Sequence, residues 1–352
     1  MSDAVVEQLL SQAKSSPTLG SPFIGSLCQL LAERLDHSSA FGRRILNWPT
    51  EPHRDALALR ACGALHALVR SGKEPDLTAA YPPSPFDEDV LWQAITGALS
   101  RHDDFLTAFL DSAPQTNEVA RSGLILGGAL HIAARTGLPL AIYEIGSSAG
   151  LNLAFDEYRY DLSDGLTWGP SDAPLTVATA WRGAIPPLDA PLRVVSRQGC
   201  DRNPLDPANP ADADRLMAYI WADQAHRLAR TAAALALAAA EGRKPERLDA
   251  ASWVEREFSK RQEPGTCRVL FHTIVWQYLP DESQERIKAV IRASAEAATS
   301  VAPVAHLGVE PDSLSPDANK GAGMRLTIWP GGEVLQLGRG DFHGRWAEWA
   351  DL

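Results

Sequence analysis

The chain has 352 residues, 45% hydrophobic and 22% charged. That is long enough for two domains or one large one, and apolar enough to exclude a disordered chain. Its 44 acidic residues outnumber 33 Lys and Arg, for a net charge of −11, and no block gathers the basic ones, which argues against a nucleic-acid partner. The four cysteines Cys28, Cys62, Cys200 and Cys267 form no C-x-x-C pair and have no histidine at ligand spacing. They point to neither a metal site nor a disulfide framework, and fit buried thiols in a cytoplasmic protein. Met1 to Lys14 carries acids at Asp3 and Glu7 and no continuous apolar run, and the alanine-rich Thr231 to Ala240 is too short for a bilayer, so no signal peptide or membrane role is expected.

In chain order, Ser21 to Asp36, His53 to Ser71, Phe86 to Ser100 and Glu118 to Thr136 repeat apolar residues at helical spacing, with Pro-rich connections between them. No strand is evident there, and an all-helical N-terminal domain over 1–136 is expected. From 137 to 352 the character changes. Apolar runs at Leu140 to Ile145, Leu192 to Ser196, Arg268 to Val275, Val301 to Val309, Arg325 to Trp329 and Val334 to Leu337 alternate with helices predicted at Gly150 to Tyr158, Ala213 to Glu241 and Glu282 to Ser300. Such alternation marks an α/β domain with a mostly parallel sheet. Pro330-Gly331-Gly332-Glu333 closes it with an antiparallel hairpin, and residues 156–190, rich in Asp, Gly and Pro, read as an insertion.

The most informative segment runs from Leu140 to Leu153. An apolar strand ends in Glu144-Ile145 and passes through Gly146-Ser147-Ser148-Ala149-Gly150 into a helix start. Small residues permit a sharp turn close to a ligand, and a helix N-terminus offers unpaired N–H groups. Two chemistries use such a turn. As G-x-S-x-G it would be the nucleophile elbow of a serine hydrolase, with Ser148, Asp312 and His343 in triad order. As E-x-G-x-S-x-G it resembles the first motif of class I S-adenosylmethionine-dependent methyltransferases, with Ser148 at the usual second glycine. Position separates the two: a hydrolase elbow follows several strands and an oxyanion motif, whereas this motif opens its sheet after about 140 helical residues.

Around that turn, Val269 to Asp281 resembles the end of the fourth strand in small-molecule methyltransferases. That resemblance would place Thr273, Trp276, Gln277 and Tyr278 near the cofactor and the acceptor, and aromatic faces suit a cation. Acidic residues at strand ends would hold the nucleoside, with Asp201 and Asp249 as candidates and Glu310 closing a further strand. Asn117, Glu118 and Arg121, in the polar stretch leading into the helix before the motif, are candidates for closing the pocket. His343, between glycines after the last strand, is the candidate proton acceptor. His272, inside a strand, reads as a hydrogen-bonded core residue.

Gln115–Arg121, Tyr143–Leu153, Gly199–Asp206, His272–Pro280, Trp329–Gly332 and Asp341–Trp346 together resemble a bacterial family catalogued as domain of unknown function 2332. The resemblance runs over nearly the whole chain. It implies a Rossmann-like class I methyltransferase sheet behind the helical domain, and no substrate. The expected activity is methyl transfer from S-adenosylmethionine to a small or medium-sized acceptor. Glu144, Gly146, Ser147, Ser148, Gly150, Asp201, Asp249, Thr273 and Trp276 would hold the cofactor, and Gln277, Tyr278 and His343 would act at the acceptor. A non-catalytic ligand- or partner-binding protein with this fold, and the Ser148 hydrolase, are the alternatives.

Overall fold

The computed structural model describes residues 3–317 and 320–352. They form two compact units, 1–116 with 210–232, and 117–209 with 233–352.

The first unit is helical: α1 (Asp3–Ser15), α2 (Pro22–Arg34), α3 (Ala40–Leu46), α4 (Leu57–Arg70), α5 (Pro75–Ala79) and α6 (Glu88–Phe109). Side-chain caps set the helix starts, Ser21 accepting from Ile24 N–H at 3.3 Å and Ser39 from Gly42 N–H at 2.9 Å. Leu27, Leu31, Phe41, Ile45, Leu65 and Leu106 lie in its core.

The second unit opens with α7 (Ser122–Thr136), which therefore belongs with the sheet although its sequence continues the helical run. Then follow β1 (Leu140–Ile145), the short strands β2 (Arg159–Asp161), β3 (Thr167–Trp168), β4 (Thr176–Ala178) and β5 (Ala180–Gly183), and β6 (Val194–Asp201). Helix α8 (Pro210–Ala218) and α9 (Ala225–Ala240) as far as Ala232 belong to the first unit; the second continues with β7 (Glu246–Arg247), α10 (Ala250–Ser259), β8 (Cys267–Thr273) and α11 (Asp281–Ala297). The chain ends in β9 (Val304–Glu310), β10 (Ala322–Trp329), β11 (Glu333–Gly340) and β12 (Trp346–Trp349).

Nine strands make one sheet in the order β5-β12-β11-β10-β9-β8-β1-β6-β7, and β3-β2-β4 make a small second one. From β7 to β9 all neighbours are parallel; β9, β10, β11 and β12 pair antiparallel, and β5 returns parallel to β12. The chain thus starts at β1, winds outward through β6 to β7, then crosses to β8 and β9 on the other side. In open α/β sheets such a reversal is where ligands bind, outside the carboxyl ends of the central strands.

Register assigns the faces, because paired residues of neighbouring strands share one face and alternate along each strand. Glu144 pairs with Gly199 and Phe271, and Phe271 pairs with Leu307. This face takes α7, where a Cβ on Gly128 would lie 2.6 Å from Leu307. Tyr143 points the other way, to Trp253 and Phe258 of α10 with ring centroids at 5.9 and 5.2 Å, in a core shared with Ile287 and Ile291 of α11.

Three sequence expectations need correction. The helix predicted from Gly150 is a 3-10 segment, Leu151–Glu157. Its backbone groups are taken by side chains: Leu151 N–H donates to Asn117 Oδ1 at 2.9 Å, and the Leu151 carbonyl accepts from Tyr158 OH at 2.5 Å. The helix predicted over Ala213 to Glu241 is broken between α8 and α9, where the Ala218 carbonyl is engaged by His66 Nδ1 at 3.1 Å and Tyr219 OH donates to the Ser112 carbonyl at 3.2 Å. The second central strand reaches Asp201 instead of stopping at Ser196. Among the described residues no helix is long and apolar enough to cross a membrane.

Candidate functional site

The turn after β1 is wound by three left-handed residues, Gly146 (φ 69°), Ser148 (φ 53°) and Gly150 (φ 72°). Close packing of the chain on itself also requires the glycines. A Cβ on Gly146 would meet Val275 at 2.4 Å, and one on Gly150 would meet Pro245 at 3.2 Å. Most of the turn's N–H groups are already engaged. Ser147 donates to the Cys200 carbonyl at 3.0 Å, Gly150 to the Ser147 carbonyl at 2.6 Å, and Ser148 to Asp201 Oδ2 at 3.0 Å. The N–H cradle expected of a helix N-terminus is therefore filled by the protein's own oxygens, and the open hydrogen-bonding capacity lies in side chains.

Three side-chain atoms beside the turn are buried without a hydrogen-bond partner: Glu144 Oε2, Ser148 Oγ and Asn152 Oδ1. Glu144 is only 2% exposed. Burial pushes its carboxyl up to about 8, Asp201 adds to the rise, and Arg121 opposes it. Asp201 lies two residues beyond Gly199 and so on the same face as Glu144. Its carboxylate also accepts from Asn203 N–H at 2.8 Å.

The polar stretch before α7 meets this turn. Asn117 holds Leu151 N–H, Glu118 Oε1 accepts from Ala120 N–H at 3.1 Å, and Arg121 lies near enough to Glu144 to act on its charge. Arg121 Nε also donates to the Phe342 carbonyl at 2.8 Å. That carbonyl belongs to the loop carrying His343, which Asp341 organises by accepting from the N–H groups of His343 and Arg345 and from the Arg345 guanidinium. Burial pushes the Asp341 carboxyl up, but Arg345 outweighs it and holds it below the ordinary range. The loop touches the chain before α7 at Gly344, whose Cβ position is 2.2 Å from the Ala120 carbonyl oxygen.

On the opposite face lies a second polar group. His272 Nδ1 and Glu310 Oε1 are 2.6 Å apart, and His272 Nε2 and His306 Nε2 are 3.0 Å apart. Glu310 Oε1 also accepts from Val275 N–H at 3.1 Å, and the Trp276 ring stacks on His272 at 4.9 Å. His272 is thus a hydrogen-bonded buried residue, as the sequence suggested. Burial, His272 and Arg325 hold the His306 imidazole well below its ordinary range. Ile274, a β-branched residue at φ 52°, marks strain at this strand end.

Glu144, Ser147, Ser148, Gly150 and Asp201 therefore come together on the α7 face, with Asn117, Glu118, Arg121 and the His343 loop around them. Thr273 is buried at the end of β8. Trp276 has one ring face against His272 rather than open to a ligand. Gln277 and Tyr278 are exposed, Tyr278 at 72%. Asp249 accepts from Ser252 N–H at 3.1 Å as the N-cap of α10. His306 and Asn152 escaped notice in the sequence; the former's only signal is its four-residue spacing from Glu310, which puts both on one strand face.

The hydrolase triad is not assembled. Ser148 Oγ has no partner, imidazole or otherwise, and Asp312 is held by the Arg339 fork at 2.7 and 2.8 Å. Among the described residues no group of three or more His, Cys, Asp or Glu could hold a metal ion.

A family model described as "Uncharacterized protein conserved in bacteria (DUF2332)" matches residues 6–349. The chain belongs to the DUF2332 family. No curated protein and no solved structure matches it. In this DUF2332 protein the motif segments from Gln115 to Trp346 all fall inside the matched region. Those from Asn117 onward lie in the unit that carries the sheet.

Proposed function

We propose that the α7 face of the sheet, at the carboxyl ends of the central strands, binds S-adenosylmethionine, and that the protein transfers its methyl group to a small or medium-sized acceptor. The observation that carries this proposal is Glu144: a buried carboxyl with an orphaned oxygen, beside Asp201, at the carboxyl end of the strand where the winding reverses. The chemistry of these residues fits the cofactor. Glu144 would receive its amino group, with the turn Gly146, Ser147, Ser148 and Gly150 along its methionine end. Asp201 would hold the ribose hydroxyls and Asp249, two residues beyond β7, would face the adenine. Asn117, Glu118 and Arg121 would close the pocket and Thr273 would border it, whereas Trp276, stacked on His272 of the opposite face, could meet the ligand only at the sheet's edge. The cofactor supplies an already activated methyl group. The protein's task is then alignment of the acceptor, by Gln277 and Tyr278, with a proton acceptor in His343.

The filled N–H groups of the turn and the exposure of Gln277 and Tyr278 favour, as a second reading, a protein that binds the ligand without turnover. Isothermal titration with S-adenosylmethionine and S-adenosylhomocysteine tests the proposal. Binding below millimolar concentration is expected for both, and its absence for both would remove the methyl donor from consideration. Cofactor binding with no methylated product from a broad acceptor panel would favour the second reading. Labelling of Ser148 by a fluorophosphonate, not expected from its buried hydroxyl, would restore the hydrolase.

A further inference from the structure

We infer that the ligand group received by Glu144 is a cation and that it enters in exchange for the Glu144 proton, which passes to solvent. The inference rests on the proposed methyl-donor site and concerns how that site chooses its ligand.

The geometry carries it. Glu144 is buried, and Oε2 has no hydrogen-bond partner. The nearest charged group of β6 is another carboxylate, Asp201, on the same sheet face. From the chain before α7, Arg121 acts on Glu144 as a cation, and its Nε donates to the Phe342 carbonyl. Among the described residues the other titratable groups coupled to Glu144 are Tyr158, after the 3-10 segment, and Cys200, which pairs with Ile145 and so lies on the other face of β6; burial raises both, so both stay neutral. Phe271, its partner on β8, brings no charge. A carboxyl so placed keeps its proton at neutral pH, in line with the upward shift described above.

A neutral carboxylic acid is a poor receptor for an ammonium group, whereas a carboxylate is a good one. Entry of the ammonium makes the ionised form favourable. The Glu144 O–H bond breaks, its proton leaves to buffer, and the carboxylate pairs with the incoming cation, so net charge is conserved. Ligands with the same nucleoside and thioether but no ammonium have nothing to offer Glu144 and leave it protonated. The site thereby selects amino-bearing ligands, and its affinity for them rises with pH until Glu144 is ionised in the free protein.

Calorimetric titration at pH 7 in two buffers of different ionisation enthalpy, phosphate and Tris, reads the proton directly. S-adenosylhomocysteine is expected to release close to one proton per site, and 5′-methylthioadenosine, which lacks the amino acid portion, none. In Glu144→Gln the proton release with S-adenosylhomocysteine is expected to vanish and its affinity to fall at least tenfold, while affinity for methylthioadenosine stays within about twofold. Binding of S-adenosylhomocysteine by the natural protein without proton release overturns the inference, as does equal release by Glu144→Gln. The comparison of the two ligands on the natural protein stands even if the variant does not fold. Failure of the natural protein to bind either one removes the methyl-donor site itself, an outcome distinct from binding without a proton.

Discussion

Glu144→Gln is expected to stabilise the free protein at alkaline pH and to change it little at pH 5. The sign follows from where the proton sits. In the unfolded chain Glu144 ionises in the ordinary carboxylate range, near 4.5, whereas in the folded protein burial moves this to about 8. Between those values the folded state holds a proton that the unfolded state has released, so the stability contributed by the protonated carboxyl is complete below 4.5 and is lost as pH rises through about 8. At about 1.4 kcal/mol per unit, the whole window is worth on the order of 5 kcal/mol for a group this buried. Glutamine matches the neutral acid in shape and does not titrate. Urea denaturation of both proteins at pH 5, 7 and 8.5 should show the difference in stability growing steadily in favour of the variant. A difference independent of pH would mean that Glu144 is ionised and compensated in the free protein.

Gly344→Ala is expected to be the most damaging single methyl in the site's surround. The position has φ 70°, which costs a non-glycine residue about 1–2 kcal/mol. The new Cβ would also lie 2.2 Å from the Ala120 carbonyl oxygen and 2.6 Å from Arg121 N. Those are backbone atoms and cannot rotate away, so overpacking adds about 1–3 kcal/mol. Gly242→Ala is the matched control, with φ 62° and nothing within 4 Å of the added Cβ. Thermal unfolding should show a loss of about 1 kcal/mol for the control and about two to five for Gly344→Ala. The larger loss should come with weakened ligand binding, because the loop that holds Arg121 through the Phe342 carbonyl must shift. Equal losses would mean that the contact with Ala120 is not a constraint on the loop.

Parts of this architecture are plain in the sequence. Leu140–Ile145 reads as a strand because an apolar run, interrupted only by Glu144 near its end, is what burial on both faces demands. The closing hairpin reads from Pro330-Gly331-Gly332 between two apolar runs. The polar ends of elements are harder. β6 runs on through Arg197, Gln198 and Gly199, and only pairing with β1 as far as Cys200 and with β7 at Asp201 shows where it ends. β12 has only four residues and carries Glu348 among them. The 3-10 segment after Gly150 has helical spacing, and nothing local reveals that Asn117 and Tyr158 will claim its backbone groups.

The site divides in the same way. The Glu144 turn announces itself through glycine spacing, yet the spacing alone does not say that Val275 and Pro245 fill the room the glycines leave. The stacking of Trp276 on His272, and the pairing of His272 with His306 and Glu310, depend on strand register, which pairs His272 with Gly308 and places all three polar groups on the face opposite Glu144. A one-residue slip of β9 would reverse that assignment.

A crystal structure of the protein with S-adenosylhomocysteine would test the central claim most directly. The ligand is expected over the carboxyl ends of β1 and β6 on the α7 face, with its amino group on Glu144 and its ribose hydroxyls on Asp201. A ligand lodged elsewhere, or one leaving Glu144 Oε2 without a partner, would contradict it.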